Sequence, residues 1–300
     1  MTGASGLIGR RVSALLKERG HGVLPVQRVS MGTASAAAAA WNVQTGELLQ
    51  SAGARPIDVL LHLAGRSVAQ RWSAKVKREV WDSRIPATEK LCAFLATMPP
   101  EKRPRTLVTA SAIGIYGNRG DELLTEDSAL AEKGAGFLGD ICLAWEAATR
   151  AAEGAGIRVV HVRIGVVLAK DGGALAKLAK PAKLGLGGPV GKGTQFMPWI
   201  SLTDLSRLLV AVAESPDARG PVNGVGPAPA RQHEFMRTLG KVLHRPAFFP
   251  LPSFVVKIVF GQMGEEMLLS SLRVIPTKLP TGFAFEHPTL EAALRAELRR

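Results

Sequence analysis

The sequence opens with a glycine-rich stretch whose composition suits phosphate binding. In "TGASGLIGRR", at positions 2–11, three glycines stand at three-residue spacing directly before an amphipathic stretch. Glycines let the backbone approach a pyrophosphate, and the free N–H groups at a helix start stabilise its charge. A turn without ligand has the same composition, but the alternating pattern that follows favours a cofactor loop. The residues expected to line this cofactor are Gly3, Ser5, Gly6, Leu7, Ile8 and Gly9.

Arg28 follows the next apolar run, about 20 residues beyond the glycines, where dinucleotide-binding proteins contact the adenosine ribose. An acidic residue there accepts hydrogen bonds from the 2′-hydroxyl, whereas an arginine suits a 2′-phosphate. Arg28 therefore predicts NADP as the cofactor, with NAD as the second choice. A solvated surface arginine is the alternative interpretation.

The stretch "SAIGIYGN", at positions 111–118, contains the single tyrosine of the chain. Ser111, Tyr116 and, on the following helix, Glu146 carry groups that can move a proton. Gly120 stands four positions after Tyr116, so no lysine is placed there to lower the pKa of the phenol. We interpret Tyr116 as a cleft-wall residue and not as the proton donor. Exposure on a helix surface is the alternative for Glu146.

Arg84 lies on a helical stripe with apolar residues such as Val80 and Leu91, which predicts an inward side chain. A buried arginine needs an anion. That anion is either a structural carboxylate of the protein or the phosphate or carboxylate of a bound ligand, and the sequence leaves both open.

A lysine-rich segment runs from Ala169 to Gln195, with Asp171 as its only acidic residue. The excess of positive charge favours an anionic ligand, although a solvated helix face has the same composition. The lysines are Lys170, Lys177, Lys180, Lys183 and Lys192.

These residues require a scaffold, and the first 165 positions alternate short apolar runs with amphipathic stretches. That is the pattern of an α/β protein with a doubly wound parallel sheet. The predicted strands are Gly22–Gln27, Ile57–Leu63, Thr106–Ala110 and Arg158–Ile164, with a weak strand within 34–43 left undecided. The predicted helices are Leu7–Arg19, Ser73–Met98 (divided or kinked at Pro86), Phe137–Ala155, Asp204–Glu214, His233–Leu243, Ser253–Phe260 and Leu290–Arg299.

The central strand of such a sheet should precede the glycine loop, yet only Met1 stands before Thr2. We therefore expect a truncated first strand, and a natural chain that begins upstream of Met1. The expected organisation is a dinucleotide-binding domain at 1–165, to which 200–225 return, a substrate-covering segment at 166–199 and a small, mostly helical domain at 226–300.

Composition narrows the function classes. The hydrophobic fraction of 46% supports a full core, and the net charge of +13 favours an anionic partner. Aromatic residues make up only 5% and are not interleaved with basic clusters, which argues against nucleic-acid binding. No apolar run is long enough to span a membrane, and the two cysteines and the scattered histidines lack metal-ligand spacing. We expect a cytoplasmic protein without a metal and leave a homodimer open.

Several motifs in order resemble one family. The glycine loop, "DVLLHLAG", "SAIGIYG" and "FMPWISLTDL" resemble the extended short-chain dehydrogenase/reductases, the NAD-dependent epimerase/dehydratase superfamily. The motifs "SRIPAT", "VRIGVVLAKDGGAL" and "VIPTKLPTGFAFEHPTLEAAL" resemble its atypical YfcH-type subgroup, which has a C-terminal domain of unknown function. The resemblance covers nearly the whole chain and implies an NAD(P)-binding Rossmann fold.

The resemblance also implies roles for individual residues. It places Phe137 and Ile141 where the superfamily has its catalytic tyrosine and lysine, Ala112 where it has a catalytic hydroxyl, and Arg84 where it often has a helix asparagine. It assigns Asp58, Leu63, Ala64 and Gly65 to the adenosine half of the cofactor, and Ser111 to the end of the strand that leads to the nicotinamide. We further expect Arg84 to contact the cofactor. Gln195 and Trp199 are expected to contact the substrate.

Two functions follow from these patterns. The first is an NADP(H)-binding atypical oxidoreductase or epimerase-like enzyme that acts on a small anionic substrate without the usual Tyr-x-x-x-Lys pair. The second is a noncatalytic regulatory or scaffold protein that keeps the dinucleotide site. The missing pair favours the second function, and the long segment expected to cover a substrate favours the first.

Overall fold

The computed structural model describes residues 1–29, 39–50 and 56–299. The strands are β1 (Gln27–Val29), β2 (Ala39–Asn42), β3 (Leu48–Gln50), β4 (Val59–His62), β5 (Thr106–Ala112), β6 (Leu123–Leu124), β7 (Arg158–Ile164), β8 (Val166–Ala169), β9 (Phe196–Met197), β10 (Trp199–Ser201), β11 (Gly220–Gly224), β12 (Ala230–Arg231) and β13 (Arg273–Val274). The helices are α1 (Leu7–Glu18), α2 (Ala74–Asp82), α3 (Ile85–Thr97), α4 (Phe137–Ala147), α5 (Arg150–Gly154), α6 (Gly173–Lys183), α7 (Leu202–Glu214), α8 (Gln232–Leu243), α9 (Ser253–Phe260), α10 (Gln262–Gly264) and α11 (Leu290–Arg299).

A parallel sheet in the order β11-β7-β5-β4 forms the centre of the fold. Thr2 extends it, because this residue bridges in parallel to His62 of β4 on one side and to Val26 on the other. Val26 leads directly into β1, which pairs with β2. Thr2 thus stands where the truncated central strand was expected. The glycine loop follows it, beside the carboxyl end of β4 and the beginning of β1. The doubly wound Rossmann-like α/β fold is confirmed.

Side chains that alternate along the strands bury the two faces of the sheet against different helices. Val108 and Val160 pack on one face with residues of α1 and α7. Leu107 and Val159 point to the other face and pack with residues of α3 and α5.

Local sequence explains where the elements differ from the prediction. The strand predicted at 22–27 lies later, at Gln27–Val29, because ladder partners are found only from Val26 onward. The helix predicted at 73–98 is divided, as expected, and Pro86 occupies the first turn of α3, where its missing N–H costs nothing. The helix predicted at 137–155 ends at Ala147, and α5 continues after a break. The weak strand within 34–43 contains β2, and its residues 34–38 lie outside the described part.

The C-terminal region packs back onto this sheet domain. Helices α8 and α11 share a core with α6, β8 and β10. The Glu126 carboxylate accepts hydrogen bonds from the Thr277 amide at 3.0 Å and the Asn223 amide at 2.8 Å. Glu297 likewise accepts from the backbone and hydroxyl of Thr203. Among the described residues, no helix combines the length and apolar character that crossing a membrane requires.

Candidate functional site

The glycine loop is closely packed at two of its glycines. Gly3 has a φ of +69°, and a Cβ on it would lie 2.7 Å from the carbonyl carbon of Leu63. A Cβ on Gly9 would lie 2.1 Å from the carbonyl oxygen of Gly3. The Gly6 amide donates to that same oxygen at 3.0 Å, which closes a tight turn. Both Gly3 and Gly9 are therefore required for the loop to lie this close to α1 and β4.

The start of α1 presents backbone donors at this loop. The first amides of a helix have no intrahelical acceptor, and no side chain caps α1. The first α-helical bond runs from Arg10 to the Gly6 carbonyl. Leu7 and Ile8 therefore offer N–H groups at the positive end of the helix dipole, where an anion is stabilised. The Arg10 side chain donates to the Ser5 carbonyl at 2.6 Å, which holds the outside of the turn.

The residues after β4 form the opposite wall of the loop. Leu63 and Ala64 are the backbone neighbours of Gly3, and the Ala64 amide donates to the Thr2 hydroxyl at 3.4 Å. Asp58 does not join them. It precedes β4, and its carbonyl accepts from Arg105 and Thr106 at the amino end of the sheet. The expectation that Asp58 contacts the cofactor is wrong, because the length of β4 separates it from the glycines.

Arg28 lies in β1 opposite Trp41 of β2, with its side chain exposed. Since Val26 and Thr2 are neighbours in the sheet, β1 runs beside the strand position from which the glycine loop leaves. Arg28 has no ion pair within the described residues. Its charge is therefore available to a ligand that binds at this end of the sheet.

Arg84 is the N-cap residue of α3, and its side chain is directed into the interface with α4. The guanidinium stacks on Trp145, with the Cζ atom 5.0 Å from the ring centroid. It also packs against Gly65, where a Cβ would lie 3.1 Å from Cζ. Burial lowers the pKa of Arg84 to about 10, so the group stays charged near neutrality.

The three candidate proton-transfer residues meet in one hydrogen-bonded network. The Ser111 hydroxyl donates to Glu146 Oε1 at 2.7 Å. Arg163 of β7 binds both carboxylate oxygens of Glu146 at 2.9 Å. Its Nη1 donates to the Tyr116 hydroxyl at 3.0 Å, and that hydroxyl donates to Asn223 Oδ1 at 2.7 Å. The network joins β5, β7, β11 and α4.

Tyr116 is fully buried within this network, at 0% exposure. The interpretation of Tyr116 as a cleft-wall residue is therefore wrong. Its ring lies in a buried cluster with Ile115 and Leu124. The helical turn that follows β5 places the ring in this cluster. Burial raises the pKa of its phenol, and the neighbouring Arg163 opposes that rise only in part. Ser111 is also buried, whereas Glu146 keeps partial exposure and lines a surface cavity of about 270 Å³ with Arg150 and Glu153.

Apolar side chains occupy the positions that the resemblance assigns to the catalytic pair. Phe137 stands edge-on to Trp72, with ring centroids 4.9 Å apart, and the Lys77 ammonium lies 5.1 Å from its ring. Ile141 is buried in an apolar cluster with Ala110 and Trp145. Neither position has a group that can transfer a proton.

The two expected substrate contacts are buried elsewhere. The Gln195 amide donates to the carbonyls of Val190 and Leu268. Trp199 is 1% exposed and belongs to the core shared with the C-terminal helices. Both predictions of direct substrate contact are wrong, because these side chains hold the 190–200 segment to its neighbours.

The lysine-rich segment begins next to the glycine loop. A Cβ on Gly172 would lie 3.1 Å from the Leu7 side chain, and Lys177 donates to the Ala69 carbonyl. The N-terminal end of α6 therefore lies next to the start of α1.

Sequence reasoning missed Arg163 and Glu266. Arg163 directly follows Val162 in the buried strand β7, and a charged residue inside a buried strand was the signal that something must pair with it. Glu266, from the C-terminal region, accepts from the Phe137 and Leu138 amides at 3.1 and 2.9 Å and so caps α4. No local pattern predicts this contact.

Comparisons with known proteins place these features in a family. The model of the NAD dependent epimerase/dehydratase family matches residues 1–225, and that of a domain of unknown function (DUF1731) matches residues 251–297. The chain is 40% identical over 296 residues to an epimerase family protein of Mycobacterium tuberculosis, covering 98% of this chain and 95% of the relative. It is 37% identical over 297 residues to the Homo sapiens epimerase family protein SDR39U1, covering 98% and 97%.

The similarity extends to a solved structure with a bound cofactor. The crystal structure of human epimerase family protein SDR39U1 (isoform 2) with NADPH superposes with a TM-score of 0.87 at 34% identity. The match covers 99% of this chain and 98% of that chain.

Proposed function

The chain belongs to the NAD dependent epimerase/dehydratase family, and we propose that it binds NADPH as an atypical oxidoreductase or epimerase-like enzyme of the YfcH-type subgroup. Its substrate is a small anionic molecule. The proposal concerns a site formed by the glycine loop, the start of α1 and the residues that follow β4.

The single observation that carries this proposal is the packing of Gly3 and Gly9. Neither position has room for a side chain, and together they hold the loop against uncapped helix amides. This is the arrangement that a pyrophosphate requires. A bound nicotinamide would supply hydride chemistry. The NADPH in the human relative supports the same cofactor here.

Arg28 gives the preference for NADPH over NADH. Its exposed guanidinium lies in β1 without an ion pair to any described residue, ready for a 2′-phosphate. A charge-assisted hydrogen bond contributes roughly 1.5–3 kcal/mol, which corresponds to about 10- to 100-fold in affinity. NADH lacks the 2′-phosphate and would not gain this contact.

The proton step would not use the superfamily's usual residues. Phe137 and Ile141 cannot transfer a proton, and Tyr116 is buried with a raised pKa. Glu146 is the partly exposed member of the polar network, held by Arg163 and Ser111. Among our three candidates, Glu146 is therefore the one we retain for acid–base chemistry, and the exposed lysines of 166–199 would attract the substrate's anionic group.

The test is a fluorescence titration of the protein and of Arg28→Ala with NADPH and NADH. We expect the wild type to prefer NADPH, and Arg28→Ala to lose about 10- to 100-fold in NADPH affinity while NADH affinity is unchanged. NADH serves as the internal control because it lacks the group that Arg28 binds. Equal affinity of the wild type for both nucleotides would contradict the assignment.

A noncatalytic, NADPH-binding regulatory protein is the second candidate. The observation that favours it is the replacement of the catalytic pair by Phe137 and Ile141. Mass spectrometry of the purified protein separates the two candidates. A second small metabolite retained together with NADPH supports the enzyme, and NADPH retained alone supports the regulator.

A further inference from the structure

Exposed apolar side chains are concentrated in one part of the surface. Among the described residues, ten large apolar side chains are exposed, and seven of them belong to two short segments, 184–186 and 248–259. Single exposed apolar residues are ordinary, whereas a contiguous group of them marks a binding surface. We call this group the apolar face, and its members are Leu184, Leu186, Phe248, Phe249, Phe254, Ile258 and Val259.

Hydrogen bonds hold the two segments of the apolar face side by side. The Phe249 amide donates to the Gly187 carbonyl at 3.1 Å, and the Leu251 amide donates to the Pro189 carbonyl at 2.8 Å. Leu251 also forms a parallel bridge with Val190. Helix α9 begins two residues after Leu251. The chain that follows α6 and the start of α9 are therefore neighbours, and the exposed side chains of both segments lie in one region.

Helix α9 is apolar on all sides, although it lies at the surface. Six of its eight residues are apolar, yet only Val256 is buried. Phe254 is 64% exposed, and Ile258, one turn later, is 69% exposed. A helix that is apolar all round is normally buried. The described part of the chain leaves the outer side of α9 uncovered.

The sequence around the apolar face is basic. The stretches 172–203 and 235–264 contain eight lysines and arginines and no aspartate or glutamate. Two of these lysines pair with carboxylates from outside the stretches, Lys241 with Glu291 and Lys257 with Glu265. Three further exposed lysines form no ion pair with any described residue, namely Lys180, Lys183 and Lys192. The apolar face is therefore bordered by free positive charge, which fits a negatively charged surface.

We propose that the apolar face binds the surface of an anionic lipid membrane. Its phenylalanine and aliphatic side chains enter the boundary between headgroups and acyl chains, and the bordering lysines contact the lipid phosphates. Helix α9 has eight residues, far fewer than the roughly 20 that cross a bilayer, so the protein lies on the membrane. A second copy of the chain fits less well, because pairing two such faces brings their positive charges together.

Cosedimentation of the full chain with vesicles tests this proposal. The vesicles consist of phosphatidylcholine alone or of phosphatidylcholine mixed with phosphatidylglycerol, at low and at high salt. The double variant Phe254→Ser/Ile258→Ser removes apolar contacts, and Lys183→Gln removes one charge. The matched controls are Leu49→Ser, at an exposed leucine of β3, and Lys102→Gln, at an exposed lysine in the chain before β5. A melting curve of each variant shows that it folds.

We expect the wild type to bind vesicles that contain phosphatidylglycerol, and to bind them more weakly at high salt. Phosphatidylcholine alone should not retain it. The double variant should lose at least about tenfold in vesicle affinity, because two apolar side chains no longer leave water on binding. Lys183→Gln should lose about fivefold, the usual contribution of one basic residue near an anionic membrane. Both controls should bind like the wild type.

A polarity-sensitive dye tests whether the apolar face itself enters the lipid. Both native cysteines, Cys92 and Cys142, are buried, so a thiol-reactive dye attaches selectively to an exposed cysteine introduced by Ile258→Cys or Leu49→Cys. With anionic vesicles, the emission of labelled Ile258→Cys should shift to shorter wavelength. The emission of labelled Leu49→Cys should not change.

Three results would overturn the inference. The first is a wild type that does not sediment with anionic vesicles. The second is a folded double variant that binds these vesicles as tightly as the wild type, since charge alone then explains the binding. The third is a wild-type dimer in sedimentation velocity that the double variant abolishes, without vesicle binding, which assigns the apolar face to a second copy. NADPH affinity does not enter this test, because the inference is independent of the proposed function.

Discussion

The Arg163 side chain determines the roles of the residues around Tyr116. It binds the Glu146 carboxylate through two nitrogens and the Tyr116 hydroxyl through a third. The phenol is thereby fixed inside the protein, where its raised pKa makes it a poor acid near neutrality. Tyr116 accordingly links β7 and β11 through its hydroxyl, and we expect it not to act on a substrate.

Tyr116→Phe is expected to lower the free energy of unfolding by about 1–3 kcal/mol, because Asn223 Oδ1 and one Arg163 nitrogen lose their buried partner. NADPH affinity should not change. Urea unfolding and NADPH titration measure the two effects. A variant of unchanged stability whose turnover falls by about 10² to 10⁴-fold would instead show that Tyr116 performs the proton step.

Helix α4 depends on a residue far away in sequence. The Glu266 carboxylate binds its first two amides, where the helix dipole also favours a negative charge. Glu266 in turn accepts from Gln262 at 2.6 Å. The C-terminal region therefore fixes the end of α4 that carries Phe137.

Glu266→Ala is expected to destabilise the protein by about 0.5–2 kcal/mol, the usual cost of losing a helix cap. Glu265→Ala is the matched control, since Glu265 pairs only at the surface with Lys257 among described residues. Melting curves of the two variants provide the comparison. Equal effects of both substitutions would mean that the cap contributes nothing beyond surface charge.

Element types were predictable from sequence wherever the pattern was local. The bounds of α9 and α11 match the prediction, because apolar periodicity and flanking prolines determine them. Gln195 and Trp199 were misassigned because burial depends on which distant segments pack over them. The Glu266 cap joins residues 128 and 129 positions apart, so no window of sequence contains it.

At the scale of the whole molecule, His62 links the sheet to its covering helices. Its ring nitrogens contact the hydroxyls of Thr2 at 2.9 Å and of Thr88 at 3.2 Å, and its ring meets Trp41 edge-on. The residue has 0% exposure, and burial lowers its pKa from 6.5 to about 4. Protonation of His62 therefore opposes folding.

Because the pKa of His62 is lower in the folded protein than in the unfolded chain, its contribution to stability is complete above pH 6.5. This contribution to the free energy of unfolding amounts to about 3 kcal/mol, and it is lost as the pH falls from 6.5 towards 4. Denaturant unfolding between pH 4 and 7 measures this loss. His62→Gln removes the titration, so its stability should change less over that range. A profile parallel to the wild type would assign the acid sensitivity to other groups, such as His161, whose pKa is also lowered by burial.

The most direct test of the dinucleotide site is NADPH titration of Gly9→Ala beside Gly154→Ala. Both glycines lie in helices, but a Cβ at position 9 would meet the Gly3 carbonyl at 2.1 Å, whereas one at position 154 meets nothing within 4 Å. We predict that Gly154→Ala binds NADPH like the wild type and gains about 1 kcal/mol of stability. Gly9→Ala should keep its far-UV circular dichroism and lose at least about tenfold in NADPH affinity, because the loop is displaced from the amides of α1. Wild-type NADPH affinity in Gly9→Ala would contradict the account.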